Sequence, residues 1–301
     1  MLSAPHLAKC CDRNSMPKYH PTSGSPEDWF SDAMLSRHNY LGLSFDFFVN
    51  WSSQPPVLTP VIWIKRILES SVSYQELLEN LSDILVSHFG STYFSLLDSF
   101  RNINSLTVQL IIFHDDYDWK DPKSNLLKVD FKGMSESGFT FEGNIIDIES
   151  FKSIIQSHSG GPIQIGSKGL IYGTSNLECF LSTTKSLYPG DVDLMVFNKK
   201  FEALALVEYK KHTLTSSISD QKLSNYYPSP DGRKYNRLAI LRDYLSHHSP
   251  NLPLFNIYYP TNPSLSQGKM ELLKGAPGSL QTNVESIFPF QNQQKQPSLM
   301  K

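Results

Sequence analysis

Residues 188–212 read Tyr188-Pro-Gly-Asp-Val-Asp-Leu-Met-Val-Phe-Asn-Lys-Lys-Phe-Glu-Ala-Leu-Ala-Leu-Val-Glu-Tyr-Lys-Lys-His212. Pro189-Gly190 marks a tight turn, an apolar strand follows, Asn198-Lys-Lys makes a polar turn, and a second strand ends in Glu208-Tyr-Lys210. The pattern predicts an antiparallel hairpin. If Asp193 opens the first strand and Glu208 closes the second, pairing brings both carboxylates to one end of the sheet. The two-residue period of a strand then puts Glu208 and Lys210 on the same face. Residues 203–207 are apolar throughout, which predicts burial on both faces, so charges that end this strand need a reason. Two such carboxylates suit a hard cation such as Mg²⁺, which keeps several waters and takes further ligands from a substrate phosphate. A strand-fixed lysine beside it can hold the attacking water and offset charge on phosphorus. The chemistry implied is phosphodiester hydrolysis.

Downstream come a polar connection, a predicted helix over about 233–246 and a predicted strand over 252–259. With this succession, Pro189-Gly-Asp-Val-Asp193 followed by Glu208-Tyr-Lys210 resembles the PD-(D/E)xK nuclease superfamily, the restriction-endonuclease-like fold, in its second and third motifs. The resemblance covers residues 148–260. It implies an α/β core with a mixed sheet of four core strands flanked by helices. Asp193 and Glu208 would be metal ligands, the Tyr209 carbonyl a further ligand, and Lys210 the catalytic lysine. The cofactor implied is Mg²⁺ or Mn²⁺, the activity that of a hydrolase cutting DNA ahead of RNA. Two glutamates compete for the first acidic motif. Ser175-Asn-Leu-Glu178 reads as a helix start with Ser175 as N-cap, which makes Glu178 an assisting metal ligand. If 177–183 is instead the first core strand, Glu149, at the start of the preceding helix, takes the role. Glu178 is preferred because it stands closer to Asp193 in the chain.

Further out, residues 26–104 predict an α-rich lobe. Pro60 stands at a first helical position before Val61-Ile-Trp-Ile-Lys-Arg-Ile-Leu-Glu-Ser70, and Leu77, Leu78, Leu81, Ile84 and Leu85 share a helical face. Residues 105–147 predict extra strands, clearest over 106–113, and residues 148–262 the nuclease-like domain, opening with a helix that ends at Gly160-Gly161. Residues 1–25, and the Pro-, Ser-, Gly- and Gln-rich 263–301, predict disordered or loosely ordered ends.

Composition narrows the partners. The 301 residues, 40% hydrophobic, can bury a sizeable core, and a net charge of −2 argues against coating nucleic acid or membrane by bulk electrostatics. Between Lys199 and Asp243, however, nine Lys or Arg face five acids. With Tyr226, Tyr227 and Tyr235 interleaved, this stretch is the candidate phosphate-backbone face, with Lys211, Lys222, Arg233, Lys234 and Arg237 as contacts. The partner is therefore nucleic acid, DNA first, with no membrane; a homodimer stays open. No run of apolar residues is long enough for a membrane span, and the expectation is a soluble, cytoplasmic protein. Cys10, Cys11 and Cys179 lack metal or disulfide-framework spacing and are expected reduced, Cys179 as a small core side chain. His114-Asp-Asp-Tyr-Asp118 reads as a turn, and Gly166-Ser-Lys-Gly169 lacks Walker spacing. Two rival readings stay open: an inactive nuclease-fold module acting in nucleic-acid or protein binding, and a structural ion-pair network, which would seal the carboxylates from solvent.

Overall fold

The computed structural model describes residues 1–14, 26–164, 169–186, 188–262 and 264–289. The chain is mixed α/β, with a large mixed sheet and several helices. In chain order the elements begin with β1 (Leu2–Ser3), β2 (Ala8–Lys9), α1 (Pro26–Trp29), α2 (Asp32–Arg37), β3 (Tyr40–Asn50) and β4 (Val57–Leu68). Next come α3 (Tyr74–Glu79), α4 (Leu81–Phe89), α5 (Ser91–Ile103), β5 (Thr107–Phe113), β6 (Asn125–Ser135), β7 (Gly138–Asp147) and α6 (Ile148–Ser159). The series ends with β8 (Tyr172–Gly173), α7 (Asn176–Leu181), β9 (Gly190–Asn198), β10 (Ala203–His212), α8 (Gly232–Leu245), β11 (Leu254–Pro260), β12 (Gln267–Lys274) and β13 (Gln281–Pro289). Two compact units result, one of Met1–Pro17 with Phe45–Asp191, the other of Lys18–Ser44 with Val192–Lys301.

In the first unit β4 is the axis. It pairs antiparallel with β3 and parallel with β5, and β5, β6 and β7 continue as an antiparallel meander. Its sequence is dense in β-branched and aromatic residues, and Ile62, Trp63 and Ile64 are all buried, so both faces are covered. This corrects the helix expected after Pro60. The register shifts there, from Phe47↔Ile62 to Phe48↔Thr59, so Pro60 sits in a bulge where its missing N–H interrupts no ladder. The α-rich reading of 26–104 is corrected with it: the segment holds two long strands beside its helices. Trp63 anchors the core, stacking on Phe151 of α6 at 5.0 Å between ring centroids and meeting Phe48 edge-on at 4.6 Å. Helix α6 starts at Asp147, whose side chain accepts from Ser150 N at 2.7 Å, and stops at Gly160, which has a left-handed φ of +83°.

The N-terminal residues are ordered rather than loose. β2 pairs with β8, and Arg13 donates to the carbonyls of Gly173 and Thr174 at 2.6 and 3.0 Å. Cys10 and Cys179 form a disulfide across 169 residues of sequence, which corrects the expectation of reduced thiols and of a core Cys179; Cys11 is free and exposed. Residues 15–25 lie outside the described residues.

In the second unit β9 and β10 form the hairpin, antiparallel through Leu206↔Met195 and Val207↔Leu194. From β10 the chain crosses through α8 to β11, which pairs parallel to β10; β12 and β13 then add antiparallel strands. The last two correct the expected loose tail as far as residue 289, and residues 290–301 lie outside the described residues. A small core of Leu35, Leu194, Val207 and Ile257 packs one face of the hairpin, with Phe30 stacked on Tyr209. Leu204 is exposed, so the full burial expected of residues 203–207 holds only at Leu206 and Val207. Among the described residues, no helix is long and apolar enough to cross a membrane.

Candidate functional site

The hairpin ladder stops at Val207↔Leu194, so the next positions, Glu208 and Asp193, face each other just beyond it. Where a ladder bond would have continued, the Asp193 carboxylate takes over: Tyr209 N donates to its Oδ2 at 2.7 Å. Past this point β10 is held by β11, with Glu208 opposite Asn256 and Lys210 opposite Tyr258. Glu208 and Lys210 share a face, and Lys210 Nζ lies 3.2 Å from Glu208 Oε1.

The first turn of α8 covers this face and supplies the counter-charges. Lys234 Nζ is 2.8 Å from the same Glu208 Oε1, and Lys210 Nζ donates to Asp231 Oδ2 at 2.7 Å. The Lys210 amine also lies over the rings of Tyr226 and Tyr235, at 5.0 and 5.2 Å from their centroids. Burial works against its charge, but Glu208 and Asp231 outweigh burial and the repulsion of Lys234, and hold the amine above the ordinary lysine range. Tyr235 is held well above the usual phenol range, by burial first and by the Glu208 charge second.

Glu208 is 1% exposed. Its Oε2 is buried and accepts no hydrogen bond among the described residues. A buried carboxylate oxygen without a donor costs about 1–3 kcal/mol, and it is the kind of group a water or a cation satisfies. With Asp193, the donor set is hard oxygen, as Mg²⁺ or Mn²⁺ requires. Against this, no group of three or more His, Cys, Asp or Glu side chains among the described residues could hold a metal ion. A cation here would depend on two carboxylates, on water and on substrate oxygen, and would replace the charge that Lys234 now supplies.

The other residues marked in the sequence divide. Lys222 and Arg233 are exposed, Lys211 and Arg237 are half-buried, and Lys234 turns inward to Glu208 rather than out to a phosphate. Tyr235 and Tyr227 are buried and unable to stack on bases, which corrects that expectation; Tyr226 is half-buried against Lys210. His212 is buried and bonded to the Ser216 carbonyl at 2.8 Å.

Glu178 lies in the other unit, in the first turn of α7, where the Ser175 hydroxyl accepts its backbone N–H at 3.0 Å. Residues 177–183 are therefore not the strand considered as the alternative. Glu178 Oε2 accepts from Thr174 N and from Thr174 Oγ1 at 2.6 and 2.5 Å. Glu149 instead pairs on the surface with Lys152 at 2.9 Å. Glu178 and Asp191 are electrostatic neighbours of an unforeseen pair, Asp46 and Lys65, 2.9 Å apart, with the Lys65 amine 4.7 Å from the Tyr188 ring centroid. Burial pushes the Asp46 carboxyl up to about 7, against the pull of Lys65.

Asp231, the inward turn of Lys234, the tyrosine walls and the Asp46–Lys65 pair were not foreseen from the sequence. Asp231 precedes Gly-Arg-Lys at a helix start and so carried the signal of an ordinary N-cap. The chain matches no family model, and neither a curated protein nor a solved structure is significantly similar to it.

Proposed function

We propose that the chain is a nuclease of the PD-(D/E)xK type, dependent on Mg²⁺ or Mn²⁺, which hydrolyses phosphodiester bonds in DNA ahead of RNA. The observation that carries this reading is the hairpin register, which puts Asp193 opposite Glu208 and leaves Lys210 on the Glu208 face. The order β9, β10, α8, β11, with β11 parallel to β10, is consistent with a restriction-endonuclease-like core in the second unit. Asp193 and Glu208 would hold the cation, with the Tyr209 carbonyl as a further ligand. When bound, the cation supplies Lewis-acid polarisation of a phosphoryl oxygen. Lys210 orients the attacking water and offsets charge gathering on the phosphate. Exposed Lys222 and Arg233, with Lys211 and Arg237, contact the nucleic-acid backbone and set its salt dependence.

A specific observation favours a second reading. Glu208 is sealed at 1% exposure and neutralised by two ammonium groups, which is what a structural ion-pair network without cleavage requires. Cleavage separates the two. Purified full-length chain is incubated with plasmid DNA and with RNA, in Mg²⁺, in Mn²⁺ and in EDTA. The nuclease reading expects metal-dependent cutting that Asp193→Asn and Glu208→Gln abolish. Cutting by Glu208→Gln at the wild-type rate, or none by the wild type in either cation, overturns it.

A further inference from the structure

We propose that Asp231 is the positioning residue for Lys210, and that the first turn of α8 is a clamp matched in charge to the Glu-Tyr-Lys segment of β10. The catalytic consequence rests on the nuclease reading; the clamp itself does not.

Distances sort the four charges into two pairs. Lys234 is nearer to Glu208 Oε1, at 2.8 Å, than Lys210 is, at 3.2 Å, whereas Lys210 finds its shortest partner in Asp231, at 2.7 Å. Both helix partners come from one turn, at positions 231 and 234, and face strand positions 210 and 208 on one face of β10. Acid meets base at each end.

Asp231 also gives up a local role to do this. It stands at the N-cap of a 14-residue helix with φ −96° and ψ 19°, outside the extended range in which a capping aspartate accepts a first-turn N–H, and its side chain makes no such bond. A residue that breaks a local rule at a charged cluster is expected to serve the cluster instead. Tyr226 and Tyr235 limit where the amine can go sideways, Tyr258 stands across the ladder, and Asp231 sets how far it reaches. Without Asp231 the amine would swing toward Glu208, already held by Lys234, or out to solvent beside the 33% exposed Asp231 side chain. A water-orienting amine displaced in this way loses rate far more than binding.

The test uses full-length Asp231→Asn and Asp231→Ser. Serine is common at helix starts but cannot hold an ammonium group as a carboxylate does, so this variant keeps a residue suited to the helix start while freeing Lys210. Three readouts are taken: thermal melting, acylation of individual lysines by acetic anhydride followed by mass spectrometry, and steady-state cleavage with Mn²⁺. The expected result is several-fold faster acylation of Lys210 in both variants, with Lys222 unchanged, in proteins that still melt cooperatively. For both variants kcat falls about tenfold or more while KM for DNA stays within about twofold. Unchanged acylation of Lys210 in both variants overturns the clamp. Faster acylation with undiminished kcat overturns the positioning role. Faster acylation in a protein that never cuts supports the clamp and sinks the nuclease reading alone.

Discussion

Glu208 carries two ammonium neighbours on one oxygen and, among the described residues, no hydrogen-bond donor on the other, in a position almost without solvent contact. Removing a partner from a buried ion pair is far more damaging than removing a surface charge, so the 208–210–231–234 cluster belongs to the fold as well as to the proposed chemistry. Asp46 offers a cleaner titration. Its carboxyl, 4% exposed, binds a proton more tightly in the folded chain, up to about 7, than in the unfolded one. The stability it contributes is therefore full below the unfolded carboxylate range and is lost as pH rises toward about 7. Urea unfolding from about pH 4 to 8 should show the wild type losing stability relative to Asp46→Asn by on the order of 1 kcal/mol or more. Parallel curves would count against it. At this scale the sequence showed what period 2 can show, namely Glu208 and Lys210 on one face. Asp231 and Lys65 stayed hidden because their partners lie on other elements, and a lysine within an apolar run such as Ile64-Lys-Arg-Ile67 carries no mark of a buried pair.

Among the elements, β4 and α7 teach different things. The apolar run after Pro60 was ambiguous in periodicity, and only the β-branched density argued for a strand; the proline that suggested a helix start sits instead in a bulge. For α7 the sequence offered both a capped helix and a strand, and the Ser175 cap decided it. What no local pattern shows is the pinning of α7 to the N-terminus, since Cys10 and Cys179 are 169 residues apart and meet beside the β2–β8 pairing. A loop of that length, closed in the unfolded chain, predicts that Cys10→Ser lowers stability by about 2–5 kcal/mol under non-reducing conditions. In excess dithiothreitol the variant and the wild type should then melt together. Equal melting without reductant would mean that the bridge adds nothing to the fold.

Across the whole molecule, the second unit was legible from residue 190 to 260 because one hairpin, one helix and one parallel strand follow each other with clear punctuation. Beyond residue 262 the reading failed, since β12 and β13 are flanked by Pro, Ser and Gly, and β13 is a largely exposed edge strand without the apolar alternation that marks burial. In the first unit β5, β6 and β7 fall where strands were expected, whereas β3 and β4 stayed hidden: β4 is buried on both faces through Ile62, Trp63 and Ile64, so its run shows no alternation, and genuine helices follow it. The proposed hydrolysis requires divalent-cation binding by Asp193 and Glu208. Calorimetric titration of the full-length chain with Mn²⁺ tests this most directly. Saturable binding by the wild type, lost in both Asp193→Asn and Glu208→Gln while each variant keeps its fold by circular dichroism, is the predicted result. Wild-type protein that takes up no Mn²⁺, or variants that bind it as tightly, would contradict the account.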